Sequence, residues 1–194
     1  MKINNKETLI ITIGATAQKI VDFLYHDNPE LNYISLGKEK LTIVTNETKT
    51  IWFGNLKYQQ SEYDIEEYKK ILLNRTSKFN EILSKYKNII IVSYIGEKFG
   101  SETLFEVINH LNTLNKEHNI FIMKPSESDG YNTCDFVAKS LEKLGELKYT
   151  PGKDLFIYDN FEIVKTNRES VRDAIRLDYK KASEILTMII ESKV

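Results

Sequence analysis

At 194 residues the chain is long enough for one domain with a substantial core and slightly short for two, so a single domain over 1–194 is expected. Its 27 Lys+Arg against 28 Asp+Glu give a net charge of -1, which supplies no electrostatic drive toward nucleic acid or an anionic membrane, and neither is expected as a partner. The single cysteine excludes an internal disulfide, MKINNKETLI lacks the apolar core of a signal peptide, and no apolar run approaches the roughly 18 residues of a membrane span, so a cytoplasmic location is expected.

The first element is TLIITI (8–13), a β-branched apolar run without polar alternation, as in a strand buried on both faces. GATAQ (14–18) follows and leads into AQKIVDFLY (17–25), which has helical period. A second strand is expected at 32–36. KLTIVTNETKTIWFG (40–54) reads as two short strands around a polar NETK turn, an antiparallel hairpin at one sheet edge. Helical period returns over 63–86, then NIIIVSYI (88–95) reads as a strand, 101–118 as a helix, NIFIMK (119–124) as a strand and 131–145 as a helix. DLFIYD (154–159) is a further strand. The stretch 168–194 places Val171, Ile175, Ala182, Ile185, Leu186 and Ile189 at helical spacing, a long helix packed along the body of the domain.

Strands that alternate with helices imply a three-layer α/β domain of Rossmann type, with a mainly parallel sheet covered on both faces. In such sheets ligands sit beyond the carboxyl ends of the strands. The candidate loops are therefore 14–18, 94–102, 125–130 and 158–162. At the second, Gly100 and Ser101 open a helix whose N-terminus attracts anions, and Lys98 adds a countercharge. Against this, Glu97 and Glu102 are near the same place, and a carboxylate about 5 Å from a phosphate charge repels it by roughly 3 kcal/mol. A plain helix start capped by Ser101 explains the same residues. Asp129 reads as the cap of the next helix. Asp159 and Asn160 suit a ribose or a base as well as an ordinary strand end. His26, His110 and His118 have no metal spacing and read as structural, and Cys134, among apolar helix residues, reads as a buried small hydrophobe.

The element order and these loops together resemble the GTPase domain of the FtsZ/tubulin superfamily. IIIVSYIGEKFGSETLFEVI (89–108) is similar to the family's glycine-rich signature strand, loop and helix. IFIMKPSESDGYNTCDFVAKSLEKLGE (120–146) is similar to its K-P loop and helix, DLFIYDNFEIV (154–164) to the strand with the P-N-D turn, and VRDAIRLDYKKA to the central helix that contacts the guanine base. The resemblance implies GTP or GDP as ligand, held by Gly14, Ala15, Gln18, Gly96, Lys98, Gly100, Ser101, Asp159, Asn160 and Tyr179. It implies self-association or a cytoskeletal partner protein, as in cell division. No metal ligand or catalytic residue is assigned. Only Gly96 and Gly100 remain of the signature glycines, and Ala15, Thr16 and Ala17 replace flexible positions of the first loop. The sequence ends at the close of the central helix, before the domain whose acidic loop activates the neighbouring subunit's site in the family. The expectation is a binding or self-associating module with a degenerate nucleotide site and absent or very slow hydrolysis. The alternative is a GTP/GDP-binding protein with slow GTPase activity and a phosphate loop rebuilt around Lys98. A dinucleotide site at GATAQ is the weakest reading, since G-x-G-x-x-G is missing and no acid ends the second strand.

Overall fold

The computed structural model describes residues 7–28, 31–37, 49–52, 76–96, 98–125, 131–159 and 170–193. Among these residues six strands form one parallel sheet: β1 (Thr8–Ile13), β2 (Asn32–Gly37), β3 (Lys49–Trp52), β4 (Asn88–Tyr94), β5 (His118–Lys124) and β6 (Leu155–Asp159), in the order β3-β2-β1-β4-β5-β6. Among the described residues five helices accompany them: α1 (Gly14–Asp27), α2 (Thr76–Leu83), α3 (Lys98–Thr113), α4 (Tyr131–Glu146) and α5 (Val171–Lys193).

The apolar runs become central strands because both their faces are covered. On one face Leu9, Ile11, Ile34, Ile89, Ile91, Ile120 and Ile122 pack against Phe79 and Leu83 of α2, Leu104 and Ile108 of α3, and Leu144 of α4. On the other, Ile10, Ile90, Val92, Phe121 and Met123 meet Ile20 and Leu24 of α1 and Ala182, Leu186 and Ile190 of α5. Every residue of β1 is buried. At roughly 1.5–3 kcal/mol for a fully buried aliphatic side chain, these two clusters supply the main drive to fold.

Several expectations are corrected. The 49–52 stretch pairs in parallel with β2, Leu36 opposite Ile51, a pairing the sequence did not indicate, and among the described residues it is the edge strand of the main sheet. The strand signal was local, whereas the partner is chosen by the sheet as a whole. The other arm, 40–46, lies outside the described residues, as do 63–75 of the second helical segment, Glu97, Asp129 and Asn160. Helix α3 begins at Lys98, a turn earlier than expected, so Gly100 and Ser101 lie inside its first turn. Helix α5 is continuous and lies on the sheet with Ala182, Leu186 and Ile189 buried as expected, but its buried stripe differs at other positions. Ile175 and Ile185 are 42% and 38% exposed, while Asp178 and Ser183 are buried. Cys134 is exposed on α4. Among the described residues no helix is long and apolar enough to cross a membrane.

Candidate functional site

Strand order reverses between β1 and β4, so the loops leaving their carboxyl ends part to opposite faces and open a crevice. Ile13 lies opposite Ser93 in the register, which brings the start of α1 beside the Tyr94–Lys98 loop. The two glycine-bearing loops singled out by sequence are therefore neighbours.

At the first loop Gly14 has φ +85°, a conformation an L side chain rarely adopts, and this turn lets α1 start directly from β1. The N-cap position, Ile13, offers no side-chain hydrogen bond, and the first turn of α1 carries no acid. Its leading N–H groups are thus available to an anion. Ala15 is exposed and Ala17 fully buried against the sheet. Gln18 is engaged in the protein itself. Thr12 Oγ1 donates to its Oε1 at 3.0 Å, and its Nε2 donates to Asp22 Oδ1 at 2.8 Å. Burial holds the Asp22 carboxyl above the usual carboxylate range, with the Gln18 hydrogen bond opposing.

The second loop is closed by its own packing. A Cβ on Gly100 would lie 2.1 Å from the Tyr94 carbonyl oxygen, so α3 approaches β4 only because this residue has none. A Cβ on Gly96 would lie 2.4 Å from the Tyr94 ring, whose body packs with the α1/α5 cluster. Ser93 Oγ donates to the Gly100 carbonyl at 3.2 Å, and Ser101 Oγ to the Ile95 carbonyl at 3.1 Å. Ser101 is thus not the helix cap expected of it, because its hydroxyl lies within the helix and points back to the strand end. Phe99 is buried in the α2/α3/α4 cluster. Lys98 opens α3, and the first turn of α3 carries no acid.

The remaining candidates are dispersed. Asp159 at the end of β6 pairs with Lys124 of β5 at 2.9 Å, the two being register partners. Tyr179 of α5 is half-buried beside the α1/α5 cluster, with the Lys19 ammonium 5.7 Å from its ring centroid. Sequence reasoning missed Tyr94, which touches both glycines, and its only signal was a bulky aromatic at the end of an apolar strand. It also missed the buried bond from Tyr158 Oη to Asp178 Oδ1 at 2.8 Å. Burial, and then that carboxylate, push the Tyr158 phenol well above its ordinary value. A groove of about 750 Å³ runs between α1 and α5, lined by Asp22, His26, Asp173, Arg176, Lys180 and Glu184 among others. Among the described residues no cluster of His, Cys, Asp and Glu could hold a metal ion.

No protein-family profile and no curated protein sequence matches the chain. Solved structures do. An FtsZ dimer from M. jannaschii superposes with TM-score 0.73 at 10% identity, covering 96% of this chain and 55% of that one. CetZ1 from Haloferax volcanii, a GDP-bound monomer, gives 0.70 at 15% identity, covering 96% and 60%. TubZ from Clostridium botulinum phage c-st gives 0.68 at 16%, covering 92% and 57%. The chain therefore has the fold of the FtsZ/tubulin superfamily, and it spans less than two thirds of the length of each of these structures.

Proposed function

We propose that this chain is a single-domain module of FtsZ/tubulin fold that works by binding, to a second copy of itself or to a cytoskeletal partner protein, and that its nucleotide site is degenerate. A cytoplasmic role in cell division or a related cytoskeletal process fits that reading. The observation that carries it is the second loop, where Tyr94 is close against both glycines and Ser93 and Ser101 bond within the loop. A phosphate there would have to displace protein contacts that are already satisfied. Gln18 and Asp159 are engaged in the same way. Self-association is supported by the FtsZ neighbour, a dimer.

A second reading keeps GTP or GDP as a ligand, bound with slow hydrolysis. It is favoured by Gly14 and by the uncapped, acid-free start of α1. Titration with GTP and GDP, alongside light scattering over a protein concentration series, separates the two. The first reading expects no saturable binding below millimolar nucleotide, no effect of Lys98→Ala, and a molar mass that rises with concentration or on adding a partner. Micromolar binding weakened severalfold by Lys98→Ala, with phosphate release from GTP, would establish the second instead.

A further inference from the structure

Helices α1 and α5 lie on the same face of the sheet, and the groove between them has a volume of about 750 Å³. The helices touch where the Lys19 ammonium stands 5.7 Å from the Tyr179 ring centroid. One turn beyond that contact on each helix come Asp22 and Ser183, and both line the groove. Its apolar lining includes Phe23 and Leu177, each partly buried.

Two polar groups there are left unsatisfied. A serine or threonine hydroxyl inside a helix commonly turns back to a carbonyl one turn earlier. Thr187 does so, donating to the Ser183 carbonyl at 3.0 Å, but Ser183 Oγ has no hydrogen-bond partner among the described residues, although Ser183 is only 4% exposed. Unlike the Thr8 and Ser35 hydroxyls, which are sealed in the core, it borders the groove. Asp22 receives one hydrogen bond, from Gln18 to Oδ1, and no cation among the described residues pairs with it, since the Lys19 ammonium lies over the Tyr179 ring instead. Half-burying a carboxylate without a countercharge is costly, which is why its carboxyl is held high. The other charges of the groove are answered nearby. Asp27 hydrogen-bonds His26, Glu184 lies 4.0 Å from Lys180, and Asp173 meets the Ser170 hydroxyl. Arg176 is two turns from Ser183, about 10 Å along α5, where salt largely screens it.

We propose that this groove is a binding site for a small organic cation, a primary ammonium at the end of an apolar stem, held by Asp22 and Ser183. An ammonium carries three donors and no acceptor, so it can satisfy the second carboxylate oxygen of Asp22 and the Ser183 hydroxyl together. The stem then lies on Phe23 and Leu177. An anion would be repelled by Asp22, and a neutral hydroxyl would leave its charge unmatched. The volume falls within the roughly 300–1,000 Å³ of small-molecule sites. None of the phosphate-loop candidates lines the groove, so the site stands whether or not a nucleotide binds.

The test titrates the full chain at pH 7 with phenethylamine and, separately, with phenethyl alcohol, which keeps the stem and lacks the charge, following amide shifts by nuclear magnetic resonance. The expected result is saturable, millimolar binding of the amine with shifts centred on Asp22, Phe23 and Ser183, and binding of the alcohol at least about tenfold weaker. Asp22→Asn, which keeps the acceptor for Gln18, should weaken the amine at least about tenfold and Ser183→Ala about threefold, while Asp173→Asn at the rim leaves it nearly unchanged. Equal affinity for amine and alcohol overturns the proposal, as do shifts that never saturate or centre elsewhere, or an Asp22→Asn protein that binds like the parent. Shifts at the same amides that grow with protein concentration alone would assign the groove to a lysine of a second copy and overturn the small cation. The comparison of amine with alcohol on the parent decides the matter even if a variant fails to fold.

Discussion

Replacing Gly100 by alanine tests whether that glycine serves packing or a ligand. The new Cβ would stand 2.1 Å from the Tyr94 carbonyl oxygen and 3.3 Å from its carbonyl carbon, both backbone atoms of a central strand. Ordinary contact needs at least an ångström more, so the first turn of α3 must back away from β4. That movement stretches the Ser93 bond to the Gly100 carbonyl and the Ser101 bond to the Ile95 carbonyl, each worth about 1 kcal/mol. Overpacking itself costs about 1–3 kcal/mol, and the better helix propensity of alanine returns up to about 1. The net expectation is a loss of about 2–4 kcal/mol. With a urea slope of about 2 kcal/mol/M, the unfolding midpoint falls by about 1–2 M. Gly96→Ala should cost distinctly less, because its clash is with the Tyr94 ring, which can swing. A Gly100→Ala protein that unfolds at the parent midpoint yet loses nucleotide binding would refute the reasoning.

Two further outcomes follow from charge and backbone conformation. Asp22 has its carboxyl raised by burial, so the stability it contributes is present below its ordinary value of 3.8 and lost as pH rises through the folded value. Asp22→Asn keeps an acceptor for Gln18, and it should therefore raise the urea midpoint at pH 7, with the gain shrinking as pH is lowered toward 4. Lys148 is a non-glycine residue in the left-handed region, which costs about 1–2 kcal/mol. Lys148→Gly should gain about 0.5–1 kcal/mol in thermal or urea unfolding once the looser unfolded chain is set against that relief. Asn115→Gly should gain less, since asparagine tolerates this conformation.

The central strands were legible because β1, β4 and β5 are buried on both faces and must be written as unbroken apolar runs. The carboxyl-end loops followed from that layout, so the position of the crevice could be read in advance. What filled it could not. Tyr94 scans as one more apolar strand residue, and only the tertiary approach of α3 shows that its carbonyl requires Gly100. Two positions on the face of α5 were misread for a similar reason. Periodicity favours Ile175 and Ile185 for the interior, but Asp178 is drawn in by Tyr158 of β6, a partner 20 residues away. Local pattern also cannot choose between partners, which is why 49–52 was recognised as a strand while its parallel pairing with β2 was not.

The place of β1 in the middle of the sheet bears on how the chain is made. Glu7, just before β1, receives Lys87, just before β4, across a separation of 80 residues. At about 5–20 residues per second a ribosome needs about 4–16 s to deliver Lys87, at the threshold of β4, after Glu7. Through that interval β1 can be paired on one side by β2, while its other edge stays open in a segment with no charged residue. Such an edge invites pairing with another nascent chain. The same parallel order that sets two loops side by side thus makes the half-synthesised protein a client for chaperones, most acutely until residues 88–94 have left the exit tunnel.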